Sequence, residues 1–232
     1  MVELKKSQII LESAVLEFKI YQPENRSLRN YFIKKKNQNK VIALNDINLK
    51  IENGERVGLV GRNGSGKSTL LRVISGIYDL TYGNIKTIGS KEVILDNNIG
   101  IELDATGIEN IYIILLLAGF TKREIDKKID WIIDFSGLKQ DIFRPLRTYS
   151  NGMITRLVTS SKISTKSDIL ILDEFFGMAD KDFSKKVNSR FNEIISDTGI
   201  FLCASHNDEL INQLCNRIIK LEDGKIISDK KL

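Results

Sequence analysis

The sequence predicts an α/β protein: a sheet with helices and a helical subdomain inserted in the middle of the chain. Three observations carry that prediction. Short apolar stretches at Arg56–Val60, Ile169–Leu172 and Ile200–Ala204 are separated by helical patterns, the order expected of strands crossing over through helices. A glycine-rich loop, residues 61–68, stands where the first of these stretches gives way to a helical pattern. Between about Thr106 and Lys166 the apolar period becomes helical throughout. The 232 residues therefore read as one domain, with the core in about 1–100 and 167–232, the helical subdomain in about 101–166 and a basic insertion at 22–40.

In chain order, Ala14 to Ile20 alternates apolar and polar positions, as a half-buried strand does. Residues 26–40 then hold six Lys or Arg and no acid, an excursion before the next strand. Ile47, Leu49 and Ile51 resume the alternation up to the Asn53–Gly54 turn signal. Ser68 to Ile77 is predicted helical from the spacing of Leu70, Leu71, Ile74 and Ile77. In the middle region Ile125, Ile129, Ile132 and Ile133 share one helical face, with Asp126, Lys127, Lys128 and Asp130 on the other. Downstream come the strand Ile169–Leu172, a helix over Phe183–Ile195, the strand Ile200–Ala204 and a helix over Asp208–Cys215. Two short strands flanking Asp223–Gly224 close the chain as a hairpin.

Composition narrows the classes. Hydrophobic residues at 42%, charged residues at 28% and only two prolines exclude a disordered chain. The longest apolar run, Ile111–Ala118, falls far short of the roughly 20 residues that span a bilayer. No signal-peptide pattern opens the sequence. Cys203 and Cys215 match neither a redox motif nor a metal clamp, and read as structural thiols of a reducing cytoplasm. The formal charge of +5 would suit a nucleic acid or an anionic membrane face and demands neither.

Residues 61–68, GRNGSGKS, carry the clearest chemistry. Gly61, Gly64 and Gly66 let the backbone around Arg62, Asn63 and Ser65 turn its N–H groups onto a polyphosphate, and a following helix adds partial positive charge. Lys67 can reach the β- and γ-phosphates, Ser68 offers its hydroxyl to Mg²⁺, and Thr69 can bind on the α-phosphate side. The strand Ile169–Leu172 delivers Asp173 and Glu174 at its C-terminal end, the edge where nucleotides bind such sheets. Asp173 would hold Mg²⁺ and Glu174 would orient and polarise the attacking water; a solvated acidic loop is the plainer alternative. His206 is the sole histidine, just beyond the Ile200–Ala204 strand; it could bond the γ-phosphate and the water, or be merely structural.

With Tyr149-Ser150-Asn151-Gly152-Met153 in the helical region, the order of phosphate loop, signature, acidic strand end and histidine resembles the ATP-binding subunit of ATP-binding cassette (ABC) transporters. The resemblance covers nearly the whole chain and implies a P-loop NTPase fold, a RecA-like core sheet with an antiparallel β subdomain and an inserted helical subdomain, binding and hydrolysing ATP with Mg²⁺. It further implies that Ser150, Asn151, Gly152 and Met153 face the γ-phosphate held by a second copy, making a homodimer, with Asp180 at the dimer seam. Locally the same residues read equally well as a serine-capped helix start. For adenine stacking the family uses an aromatic near the first strand, here Phe18 or Tyr21. The family's glutamine that contacts Mg²⁺ has no counterpart between Gln38 and Gln140; its position falls near Asn97 or Asn98.

Several details resemble the branch that exports polysaccharides such as O-antigen, capsule or teichoic acid. They are the Tyr-Ser-x-Gly-Met signature followed by Arg156-Leu157, the Thr106–Tyr112 stretch, Leu214-Cys215-Asn216-Arg217 and the long basic excursion. The resemblance implies an integral membrane permease as partner, a lipid-linked glycan met only through it, and a place on the cytoplasmic face of the membrane. Within that reading the run at 26–40 faces anionic headgroups; a solvated loop and a nucleic-acid patch are its other readings. The helix start at Ile111–Leu117 is expected to be mainly core, with part of it able to receive a permease segment. No carbohydrate-binding domain is expected after the Asp223–Gly224 turn, and no nucleic-acid partner. Two rivals stay open: the same motor for a drug, lipid or peptide, and a soluble ABC ATPase acting on ribosomes or nucleic acid.

Overall fold

The computed structural model describes residues 7–19, 40–94, 100–165, 167–173, 181–205 and 208–232. The expectations placed on Tyr21, on Asn97 and Asn98, on Glu174, Asp180 and His206, and on most of the basic run fall outside these residues.

Two sheets and a helical layer form the molecule. The larger sheet has the order β5-β6-β7-β3-β8-β9, built from β3 (Arg56–Val60), β5 (Lys91–Ile94), β6 (Ile169–Asp173), β7 (Ile200–Ala204), β8 (Arg217–Glu222) and β9 (Lys225–Lys231). All its neighbouring pairs are parallel except the β8–β9 hairpin. Because both faces of this sheet are covered, β6 reads as a continuous apolar run instead of an alternation. Its Ile169 and Ile171 enter one core cluster, while Leu170 and Leu172 enter another across the sheet.

The smaller sheet is antiparallel in the order β2-β1-β4, from β1 (Gln8–Lys19), β2 (Lys40–Glu52) and β4 (Tyr82–Ile88). Its buried side chains, among them Ile9, Leu11, Leu44 and Ile51, pack on the first cluster together with Leu70, Leu71 and Ile74 of helix α1 (Lys67–Ser75). On the opposite face of the large sheet lie α6 (Lys181–Asp197) and α7 (Asp208–Leu214), through Val187, Phe191 and Ile211.

Between β5 and β6 come α2 (Gly107–Leu117), α3 (Lys122–Asp126), α4 (Ile129–Ser136), two short 3₁₀ turns at Lys139–Phe143 and Leu146–Thr148, and α5 (Asn151–Lys162). They enclose a third cluster around Ile111, Ile125, Ile132, Leu146 and Leu157. A seam of cations over aromatic rings joins this region to α6: Arg156 over Phe183, Lys186 over Phe135 and Arg190 over Trp131.

The structure departs from the sequence reading in four places. β1 begins at Gln8 instead of Ala14, because the alternation is broken by register shifts near Ala14 that the period-2 pattern does not anticipate. β4 and β5 had no prediction. β4 is exposed along almost its whole length, so hydrophobic patterning carries no signal there. Ile77 does not continue the face of α1: the helix ends at Gly76 in the left-handed region, and Ile77 is 55% exposed. The isoleucine stripe of the middle region is split between α3 and α4 by Lys127–Lys128, with Ile125 and Ile132 buried and Ile129 and Ile133 partly so.

Candidate functional site

The glycine loop follows β3, the central parallel strand, and its bends are dictated by close approaches. A Cβ on Gly61 would lie 2.3 Å from the Leu221 carbonyl oxygen and 2.7 Å from Ser65 Oγ, with φ at +149°. One on Gly66, φ +105°, would lie 2.9 Å from the Ala43 carbonyl oxygen. At Gly64, φ +81°, a Cβ would meet nothing within 4 Å, so that corner of the loop looks into open space.

Helix α1 starts at Gly66 without any side-chain cap. α2 and α5 differ, for Thr106 and Ser150 accept from the amides of Glu109 and Met153. The uncapped start leaves leading N–H groups of α1 with no capping oxygen, which is the arrangement that binds anions. Lys67 is nearly buried, and its Nζ donates to the carbonyls of Gly61 at 2.8 Å and Arg62 at 3.1 Å. An ammonium has three donors, so these two bonds do not exhaust it.

The loop borders a cavity of about 410 Å³ lined by Asn63, Gly64, Gly66, Lys67, Ser68 and Thr69. Three other parts of the chain complete it: Val41 to Ala43 of β2, Asp173 at the end of β6, and Ala204 and Ser205 at the end of β7. Strand register explains the convergence. Asp173 pairs with Ala204, and Ala204 with Leu59 two residues before the loop, so all three strands end at one level. A hydroxyl from Ser68 and a carboxylate from Asp173 are hard oxygen donors, which suits Mg²⁺. Among the described residues no cluster of three His, Cys, Asp or Glu could hold a metal alone; Mg²⁺ instead takes one or two carboxylates plus substrate phosphates.

Arg62 and Ser65 belong to the loop without lining the cavity, and Phe18 does not line it either. The Phe18 ring meets Tyr78 edge-on, centroids 5.4 Å apart, and Phe18 pairs with Val41 in the β1–β2 ladder. The apolar wall is made by Val41 and Ile42, 47% and 49% exposed, residues the sequence reading passed over. The signal was there in Val41-Ile42-Ala43-Leu44, four successive apolar residues where a half-buried strand should alternate.

Ser150 caps α5, accepting from the Met153 amide at 3.3 Å, and Asn151 is exposed beside the half-buried Gly152. None of these residues lines the phosphate-loop cavity of the same chain. Behind them Tyr149 is buried, its hydroxyl donating to the Asp141 carbonyl at 2.6 Å. Gly107 packs on that ring, because a Cβ there would sit 2.5 Å from the phenolic oxygen. Thr106 and Glu109 form a capping box, and the wholly buried Asn110 donates to the carbonyls of Glu102, Ala105 and Thr106.

A second, more apolar cavity of about 480 Å³ lies between β5 and the end of α2, lined by Ile77, Val93, Ile94, Ile114, Leu117 and Phe120 among others. Within α2, Ile111, Ile114 and Leu115 are core, whereas Leu116 and Leu117 are exposed. Glu92 borders this cavity, and burial, opposed by the charge of Lys128, pushes its carboxyl up to about 8.

An uncapped helix behind a glycine loop, a lysine folded into that loop, and a carboxylate from a neighbouring strand define a nucleotide-binding protein of the phosphate-loop class. Comparison with known proteins narrows the class. The family model described as ABC transporter matches residues 44–177, and this chain belongs to that family. It is 36% identical to the O-antigen export system ATP-binding protein RfbE of Yersinia enterocolitica, over 96% of this chain and 98% of that protein. It is also 36% identical to the teichoic acids export ATP-binding protein TagH of Staphylococcus saprophyticus, over 93% of this chain and 81% of the relative. Among solved structures, the dimeric ATP-binding cassette MJ0796 in a post-hydrolysis state with ADP and Pi aligns with a TM-score of 0.71 at 19% identity, covering 97% of this chain and 98% of that one. The chain is an ABC-type ATPase subunit, homologous to the ATP-binding proteins of O-antigen and teichoic acid export. Among the described residues no helix is long and apolar enough to cross a membrane.

Proposed function

We propose that this chain is the ATP-driven motor of an export system for a lipid-linked polysaccharide of the O-antigen or teichoic acid kind. It works as a homodimer at the cytoplasmic face of the membrane, beneath an integral permease. The observation that carries the reading is the meeting of Asn63, Gly64 and Gly66 to Thr69 with Asp173 in one cavity. The identity of about a third along nearly the whole chain to two export ATP-binding proteins supports the cargo class.

In this reading the loop amides and the α1 N-terminus hold the phosphates, and Lys67 turns from the loop carbonyls to the β- and γ-phosphates. Ser68 and Asp173 hold Mg²⁺, which when bound neutralises phosphate charge, and Thr69 lies on the α-phosphate side. Val41 and Ile42 offer apolar surface to the base, and Phe18 or Tyr21 is the aromatic for stacking on it. Glu174 orients and polarises the attacking water, and His206 bonds the γ-phosphate and that water. Ser150, Asn151, Gly152 and Met153 act on the nucleotide of the second copy, with Asp180 at the seam. What supports action in trans is that the signature stands away from its own chain's cavity, with the start of its helix exposed at Ser150 and Asn151. The exposed end of α2 beside the 480 Å³ cavity supports reception of a permease segment there.

The test is purification from membranes together with deletion of the gene. An integral permease in the purified complex and loss of glycan export on deletion are expected; ribosomes or DNA as the retained partner would reject the reading. Glu174→Gln should bind ATP, stop turnover and trap the dimer, and undiminished hydrolysis would remove Glu174 from its role.

A further inference from the structure

Cys203 and Cys215 are twelve positions apart, yet their sulfurs meet at 3.6 Å, and neither is bonded to another cysteine. The reason lies in Gly58. On β3 it pairs with Cys203 of β7, and a Cβ there would come 3.2 Å from Cys215 Sγ and 2.7 Å from Ile211 Cγ2. Glycine at that position lets the end of α7 lie over β3 and bring Cys215 onto the neighbouring strand. Cys215 is pinned there: its amide donates to Ile211 O, and Asn216 next to it exchanges hydrogen bonds with the Arg56 backbone at both ends.

We propose that Cys203 and Cys215 are an oxidisable dithiol which a peroxide-class oxidant converts to an intramolecular disulfide, tying β7 to the chain after α7. Cys215, 7% exposed against 1% for Cys203, is the sulfur a small oxidant reaches first. The neighbouring sulfur, reinforced by burial, pushes the Cys203 thiol well above the ordinary thiol range, so Cys203 keeps its hydrogen while its partner reacts. Cys215 sulfur attacks the peroxide O–O bond, forming a sulfenic acid and releasing one water. Cys203 sulfur then displaces that hydroxyl, the S–S bond forms, and the second water carries off the remaining thiol hydrogen. Two thiols and one peroxide give one disulfide and two waters; the sulfurs lose two electrons and the peroxide gains them.

Closure to the disulfide length of about 2 Å draws the sulfurs together by roughly 1.5 Å. β7 ends in Ala204 and runs on into Ser205, both at the wall of the nucleotide cavity, and β3 beside it runs into the glycine loop. Oxidation should therefore weaken nucleotide binding. The disulfide itself is independent of the proposed function; only this second readout rests on it.

The full-length chain is treated with hydrogen peroxide, unfolded in iodoacetamide and weighed intact. Expected are the loss of two hydrogens, no alkylation at either cysteine, no cross-linked second chain, and recovery of both thiols with dithiothreitol. Two alkylated cysteines after treatment, or a cross-link between chains, overturn the proposal. In Cys203→Ser, or Cys203→Ala if serine does not fold, dimedone should label Cys215; labelling of Cys203 alone in Cys215→Ser, with none on Cys215 here, overturns the stated order. Binding of a fluorescent ATP analogue should fall on oxidation, recover with dithiothreitol and stay constant in Cys215→Ser. Unchanged binding with the disulfide formed overturns the link to the cavity, whereas absence of binding to the reduced protein counts against the nucleotide site instead.

Discussion

Gly107 at the start of α2 lies so close under the Tyr149 ring that a single methyl would come within 2.5 Å of its hydroxyl oxygen. Two stretches that resemble the polysaccharide-export branch, Thr106–Tyr112 and the signature from Tyr149, are thus one packed unit. Tyr149 is locked by its bond to Asp141 and immediately precedes the Ser150 cap of α5. Gly107→Ala should push Tyr149 outward, disturb the cap and lower ATP turnover more than single-chain ATP binding. Combining it with Tyr149→Leu should recover part of the lost stability in a double-mutant cycle. Additive losses in the thermal unfolding of the two single variants would separate the residues.

The tip of the C-terminal hairpin props the glycine loop from below. The Gly224 amide donates to the Ser65 carbonyl at 3.1 Å, and the Asn45 amide donates to the Gly224 carbonyl at 2.8 Å. Gly224 has φ +73°, and a Cβ there would lie 2.7 Å from Ala43 O. Gly224→Ala should cost roughly 1–3 kcal/mol, the scale of a strained left-handed residue, and weaken nucleotide binding measured by titration although Gly224 lies outside the loop motif.

Stability should depend on pH through Glu92. Its folded-state value of about 8 stands above the ordinary 4.5, so the folded chain binds the extra proton. The contribution is complete below the unfolded value and is lost as pH rises through about 8. The Thr165 hydroxyl contacts both Glu92 and the Lys162 carbonyl. Glu92→Gln should flatten the fall of the melting temperature between pH 5 and pH 9. An equally steep fall in the variant would assign that slope to other groups.

Arg217 joins β8 to β9, to β2 and to Glu55 just before β3, at the end of the sheet remote from the cavity. It donates to Asp229, to Glu55 and to the Lys50 carbonyl, with only a tenth of its side chain exposed. Arg217→Met takes the guanidinium from Asp229 and from Glu55, which keeps only the exposed Lys231, and should destabilise by about 3 kcal/mol, the low end for a broken buried pair. The Arg217 guanidinium bonded to Asp229 holds that carboxyl below its usual range, so the stability it confers is present at neutral pH and lost as pH falls through the folded value. Urea unfolding of both proteins at pH 7 and pH 3 should show the difference between them shrinking in acid.

Asp173→Asn keeps the shape of the cavity and removes one negative charge from it. We expect ATP binding without Mg²⁺ to persist and the added affinity from Mg²⁺ to be lost, read by titration with and without EDTA. Equal Mg²⁺ dependence in both proteins would place the ion elsewhere.

Buried parallel strands announced themselves in the sequence because both faces are apolar, as in Ile169–Leu172, and the glycine loop did so because only glycine tolerates its bends. β4 escaped, since a strand with nearly all its side chains exposed is held by backbone pairing to β1 and leaves no hydrophobic pattern. Ile77 misled for the opposite reason: it continues the helical spacing of Leu70, Leu71 and Ile74, but Gly76 ends the helix and sends the side chain to solvent. Phe18 was legible as an aromatic near the first strand, and only packing decided that its ring meets Tyr78 while Val41 and Ile42 wall the cavity.

By itself the sequence determined which backbone bends are possible, which faces must be buried and which side chains carry charge, for these follow from local chemistry. The tertiary structure decided which of them meet. Asp173 reaches the phosphate loop because three parallel strands end in register, and Cys203 touches Cys215 because one glycine lets a helix end cross a strand. Those distances are set by layer packing between residues far apart in the chain, and no local pattern encodes them.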